Sequence, residues 1–381
     1  MKTTSMTSEN ESFPAVAVPP QDHPPLSVTQ QSYSDLVVPL GVSSEGRQAN
    51  WQPRKDGNLL VVGGTGSGKT VVIDSVIQRL TQAGWRTWLI DAKRIEFIGY
   101  RDWENVELLA QKVDHQIRML KLAHETMKAR YDLIQRGEVS IEDLDPIAVV
   151  VDHLQPVLLA VAERYRETKV EGMPSQHPAL NWVADIARLG RASKMHLVVT
   201  LQRLDASLMG REMLDNFGGR LSLGNLGSKE ASIMMWDDPD VGVSLPSVKG
   251  RAVSYIDGEP AEVQAVYTAS PDPEHANYQA GMVSAMRPKY AIHGSKTIAE
   301  PRSQIVEGAG DEPVTTWNSI VEAQILSEGA PVQLDPVASD KFEQLRLDQA
   351  EAERTQGSPQ LQVAGSLEGA VGLFNRVDTH H

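Results

Sequence analysis

The sequence contains no cysteine, which excludes disulfide bonds and thiolate zinc sites and makes a reducing compartment the expectation. No uncharged apolar run approaches the roughly 20 residues that span a bilayer. The N-terminus also lacks the basic-then-apolar pattern of a signal peptide. These absences predict a cytoplasmic protein without a membrane span of its own, so that any attachment falls to a membrane-protein tether. Basic charge is scarce as well, with 36 Lys and Arg against 50 Asp and Glu and a net charge of −14. That excludes a protein that coats nucleic acid with a broadly basic domain. The acid is unevenly placed, at about −3 over residues 1–50, −3 over 51–270 and −8 over 271–381. A nearly neutral middle can still meet phosphates through a few local cations. No internal repeat is evident.

What remains is an ordinary globular composition, 41% apolar and 23% charged, enough to bury a core. Residues 1–36 are rich in Ser, Thr, Pro and Glu and read as a disordered tail. Residues 37–270 hold the candidate domain. From 271 to 381 the chain returns to Pro, Gly, Ser and acid. It reads there as an acidic, mostly disordered tail with candidate short helices at 317–326 and 341–354.

Between the tails, short β-branched runs alternate with amphipathic segments, the pattern of an α/β fold with a parallel sheet flanked by helices. Runs at 59–62, 88–90, 147–151, 197–200 and 220–223 read as strands. Val72, Ile73, Val76, Ile77 and Leu80 fall on one side of a helix that Gly84 can stop. Residues 108–135 read as one long helix. Residues 251–256 and 262–267 read as a hairpin through Asp257 and Gly258.

The run Gly63, Gly64, Thr65, Gly66, Ser67, Gly68, Lys69, Thr70 fits G-x-x-x-x-G-K-[ST] between a predicted strand and a predicted helix. The glycines let successive backbone N–H groups face a phosphate chain, aided by the helix N-terminus. Lys69 is placed to reach the β- and γ-phosphates of ATP, and Thr70 to help hold Mg2+. This is the fold class of a RecA-like P-loop NTPase. Such a site needs an acid at the end of a neighbouring strand, and Asp152, directly after the run 147–151, is the candidate. A strand-ending turn aspartate is the alternative.

Several stretches then resemble the motor domain of the FtsK/SpoIIIE family, including its actinobacterial plasmid-transfer and phage-borne relatives. They are the lead into the phosphate loop at 59–63, LIDAKRIEF at 89–97, YRDWENV at 100–106, IARLGRA at 186–192 and HLVVTLQR at 196–203. The resemblance covers about residues 37–270. It implies an ATP-driven translocase on double-stranded DNA, assembled as a homo-hexamer and used in conjugation or phage DNA handling. It further implies that Gln202 reads the γ-phosphate or its attacking water, and that Arg220 acts on a neighbouring subunit's nucleotide. Loop and surface roles for these two remain the alternatives. DNA-facing loops are expected at 169–177 or 202–211, through sequence-independent phosphate contacts.

Two features depart from the family. The glutamate that normally follows the magnesium aspartate is replaced by His153. A neutral imidazole can accept a proton near pH 7, or it can mark an impaired ATPase that binds nucleotide only for assembly. Neither membrane helices before the domain nor a basic winged-helix module after it is evident, which suggests a reduced motor. A protein-secretion ATPase of the same family is a further alternative.

Overall fold

The computed structural model describes residues 33–206, 209–305 and 312–337. Its framework is a ten-stranded sheet whose central strands are short, apolar and buried on both faces. The strands of its first half are β1 (Val38–Val42), β2 (Gln48–Trp51), β3 (Leu59–Gly63), β4 (Arg86–Asp91) and β5 (Val106–Ala110). Those of the second half are β6 (Ile147–Asp152), β7 (Met195–Leu201), β8 (Gly219–Leu223), β9 (Arg251–Ile256) and β10 (Glu259–Ala265). Their order is β2-β1-β10-β9-β8-β3-β7-β6-β4-β5. The run from β8 to β5 is parallel, while β9, β10, β1 and β2 continue it antiparallel.

Alternation along each strand supplies both faces of the core. Leu60, Val62, Val149 and Val151 face one cluster. Into it pack α2 (Val113–Gln135), α3 (Leu154–Thr168) and α4 (Ala179–Leu189). Leu59, Val61, Ala148 and Val150 face the other, covered by α1 (Lys69–Gln82) through Val72, Ile73 and Val76. A strand with both faces covered reads as an unbroken apolar run, which is why β3 and β6 stand out in the sequence.

Four expectations change. Residues 106–110 form edge strand β5 instead of the start of a long helix, and α2 begins at Val113. Short apolar runs do not distinguish strand from helix, and here Glu107 on β5 is drawn into a buried ion pair with Arg86 on β4 at 2.9 Å. The expected hairpin forms through Asp257 and Gly258, both at positive φ, but its second strand starts at Glu259. At the N-terminal boundary, Tyr33 is already buried, its hydroxyl against His196 Nε2 at 3.1 Å and its ring against Trp85. Burial raises its pKa to about 12. Residues 1–32 lie outside the described residues.

The largest change concerns the tail. Residues 271–305 and 312–337 pack onto the domain through α6 (Ala280–Met286), α7 (Trp317–Val321) and a small antiparallel sheet of β11 (Thr297–Ile298), β12 (Ile325–Ser327) and β13 (Ala330–Val332). Trp317 stands edge-on to Tyr165 at 4.7 Å and stacks on Trp182 at 6.2 Å between ring centroids. Backbone carbonyls of Asp335 and Pro336 accept from Arg86 and Arg130, and that of Val337 from the Asp145 N–H. The apolar anchors here are single residues in a polar stretch, so no periodicity announces them. Of the two candidate helices, the first is helical only over Trp317–Val321 and gives way to β12 at Ile325, while 341–354 lies outside the described residues. Among the described residues no helix is long and apolar enough to cross a membrane.

Candidate functional site

The loop between β3 and α1 is fixed first by its glycines. A Cβ at Gly63 would meet Ser67 Oγ at 2.7 Å and the Leu223 carbonyl at 2.8 Å, and Gly68 has φ +105°. Neither position accepts a side chain without moving backbone. Lys69 folds back over the loop, donating to the Gly63 and Gly64 carbonyls at 2.5 and 2.9 Å. Burial lowers its pKa, with Asp152 opposing. Among the described residues its hydrogen-bond partners are carbonyls of the loop itself, and these are weak competitors for an ammonium against a phosphate.

The carboxyl edge of the sheet brings the next residues alongside. β4 and β6 are in register so that Asp91 lies opposite Asp152. Both are buried, but their surroundings differ. Asp91 accepts the backbone N–H groups of Lys93, Arg94 and Phe97 and the Gln111 amide. It is consumed in shaping the turn after β4. Asp152 accepts only the Thr200 hydroxyl at 2.8 Å on Oδ1. Its Oδ2 is buried without a hydrogen-bond partner among the described residues, and burial raises its pKa to about 6.

An orphaned, buried carboxylate oxygen fits a cation ligand. No group of three or more His, Cys, Asp or Glu side chains is placed to hold a metal among the described residues. Mg2+ usually takes one or two carboxylates and completes its shell with water and phosphate oxygens. Thr70 and Asp152 suit that arrangement.

His153 follows with φ +55°, a left-handed conformation that histidine tolerates better than most residues. Its N–H donates to Thr200 Oγ1 at 2.7 Å, and its Nε2 stands 3.6 Å from Asp152 Oδ2. Burial lowers the imidazole to about 4, so it is neutral at pH 7. Gln202, just beyond β7, donates to Thr65 Oγ1 at 3.2 Å, across the mouth of the loop.

A cavity of about 680 Å³ joins these groups, with Thr65, Lys69, Thr70, His153 and Gln202 in its wall and Tyr267, His275 and Asn277 at another part of it. That volume suits a nucleotide-sized ligand. Arg220 is not brought to it. Its guanidinium donates to the Phe217, Met235 and Leu214 carbonyls at 2.7 to 2.9 Å, tying β8 to the turn before it and to α5 (Lys229–Trp236). Of the candidate DNA loops, 169–177 joins α3 to α4, and 202–211 leaves β7 at the phosphate edge, with 207 and 208 outside the described residues.

Sequence reasoning missed Lys93, Glu96 and Thr200. Thr200 lies inside an apolar strand, and the stretch 196–203 that contains it drew attention to Gln202 instead. The spacing of Lys93 and Glu96 after a strand-ending aspartate was the available signal, because a turn capped by Asp91 returns Glu96 to the phosphate loop. Thr70 Oγ1 donates to Glu96 Oε2 at 3.2 Å.

This geometry can be set beside known proteins. Residues 26–143 match the FtsK/SpoIIIE family. An FtsK domain-containing protein of Bacillus subtilis, YdcQ, is 27% identical over 210 residues, covering 54% of this chain and 42% of its own length. The DNA translocase FtsK of Helicobacter pylori strain J99 is 26% identical over 226 residues, covering 55% of this chain and 25% of its own. The match thus spans less than half of either relative. Among solved structures, the pCW3 conjugation coupling protein TcpA, in a monomer form with ATPγS, superposes with a TM-score of 0.53 at 22% identity, covering 68% of this chain and 71% of that one. The cytoplasmic domain of the type VII secretion ATPase EccC from Thermomonospora curvata gives 0.54 at 20% identity, covering 74% and 34%. Those two likenesses establish a shared fold.

Proposed function

We propose that this chain is an ATP-hydrolysing motor domain of the FtsK/SpoIIIE type that moves double-stranded DNA, in plasmid conjugation or phage DNA handling. The observation that carries the reading is the convergence of Lys69 and Thr70 at the start of α1, Asp152 at the end of β6 and Gln202 just beyond β7 on one edge of the sheet, where Lys69, Thr70 and Gln202 line one cavity. Lys69 would exchange the loop carbonyls for phosphate oxygens, Thr70 and Asp152 would hold Mg2+, and Gln202 would read the terminal phosphate. When bound, Mg2+ offsets the charge of the transferring phosphate. The relatives that are DNA translocases, and the coupling protein that shares the fold, support DNA as the substrate. A homo-hexameric ring, a membrane-protein tether and phosphate contacts from 169–177 or 202–211 belong to the same reading.

A second reading rests on His153. Lowered to about 4 by burial, its imidazole is a weak base and carries no charge to orient a water as the family's glutamate would, which favours a nucleotide-binding assembly subunit with impaired turnover. ATP turnover with and without linear duplex DNA separates the two. DNA-stimulated turnover, lost in Lys69→Ala, is the expected result. Turnover absent in the native chain and restored in His153→Glu would assign the assembly role. Absence in both would overturn the motor reading.

A further inference from the structure

A hydroxyl that ligates a cation must offer an oxygen lone pair, so its hydrogen has to be taken by another acceptor. Asp152 does not take the hydrogen of Thr70: its Oδ1 accepts from Thr200 and its Oδ2 has no hydrogen-bond partner among the described residues. Glu96 Oε2 does, at 3.2 Å. The other oxygen of Glu96 accepts from Lys93 Nζ at 2.6 Å. The turn that carries both residues is clamped at its start by Asp91, whose two oxygens accept three backbone N–H groups. Glu96 is therefore a half-buried carboxylate, held by Thr70 and Lys93 on a turn that the buried Asp91 anchors.

We propose that Glu96 is a positioning residue for the metal–nucleotide complex. By taking the Thr70 hydrogen it leaves the Oγ1 lone pairs to the cation, and it supplies a second carboxylate beside Asp152 where position 153 provides none. The inference rests on the Mg2+–ATP reading above. Lys93 completes the device, because its ammonium fixes the Glu96 rotamer and places a second cation in the cavity wall beside Lys69.

The test is calorimetric titration of ATPγS into the full chain, in Mg2+ and in EDTA. Wild type should bind more tightly in Mg2+. Glu96→Ala should lose about tenfold or more of that gain, as removal of an outer-shell partner does, with EDTA affinity unchanged. Glu96→Gln retains an acceptor for Thr70 without the charge and should recover part of the gain; it also preserves the side chain should the alanine variant fold poorly. In a Thr70→Val background, Glu96→Ala should have no further effect, because the two act through one bond. An undiminished Mg2+ gain in both Glu96 variants, or full additivity with Thr70→Val, would overturn the assignment alone. Wild type that binds no nucleotide would overturn the ATP reading and this inference with it.

Discussion

Thr200 donates its hydroxyl to Asp152 Oδ1 at 2.8 Å while accepting the N–H of His153 at 2.7 Å. One buried side chain on β7 thereby sets both the carboxylate at the end of β6 and the left-handed turn that follows it. Thr200→Val keeps the shape and removes both bonds. It should destabilise the protein by about 1–3 kcal/mol, the cost of leaving buried polar groups unmade, and should depress ATP turnover further than stability alone explains. Urea unfolding together with turnover per folded molecule checks it, and unchanged values for both would contradict this arrangement.

Arg220 separates a structural role from a catalytic one. Three carbonyls depend on its guanidinium. Arg220→Met should therefore lower unfolding free energy by about 3 kcal/mol or more, with little change in turnover per folded molecule. The reverse pattern, full stability with turnover abolished, would restore an arginine that serves a neighbouring nucleotide.

Two fully buried histidines contribute to acid stability. Burial lowers His196 from 6.5 to about 4 and His293 to about 3. The unfolded chain takes up these protons below pH 6.5 and the folded chain refuses them. Stability is thus fully present above 6.5 and is lost as pH falls toward 4, by up to about 1.4 kcal/mol per pH unit for each site. His293→Asn should flatten the wild-type fall in urea midpoint between pH 6 and 4.5. An identical slope in the variant would mean that His293 is not held neutral.

Trp317 tests whether the segment beyond 271 belongs to the core. Its ring is buried against Tyr165 and Trp182. Trp317→Ala should cost about 3–5 kcal/mol, the usual range for deleting a buried aromatic. A cost near zero in chemical denaturation would return this stretch to the status of a loose appendage.

The legibility of the sequence followed burial. β3 and β6 were readable because both faces are covered and the runs 59–62 and 147–151 are wholly apolar, and the phosphate loop because its glycines at 63 and 68 answer to a steric demand that no other residue meets. β1 and β2 were not readable. Pro39 and Gly41 interrupt any pattern, and the strands exist because β10 offers an edge to pair with. Glu96 and Thr200 escaped for a different reason: each acts through hydrogen bonds to residues distant in the chain, a pairing that the spacing after Asp91 hints at for Glu96 and that nothing local marks for Thr200. The intrachain role of Arg220 was not legible because a strand arginine in sequence carries no mark of whether carbonyls or solvent await its guanidinium.

The attachment of residues 335–337 has a mechanical meaning. The Asp335 and Pro336 carbonyls are held by Arg86, the first residue of β4, and by Arg130 on α2, while the Val337 carbonyl is held by Asp145, just before β6. Asp91 and Asp152 lie at the opposite ends of those two strands, on the edge of the sheet where the phosphate loop follows β3 and Gln202 follows β7. Tension applied through the chain beyond Val337 enters at the amino ends of β4 and β6 and reaches the nucleotide cavity only along the length of the sheet, its stiffest direction. A partner could pull on this end of the molecule without prising open the loops that would grip ATP.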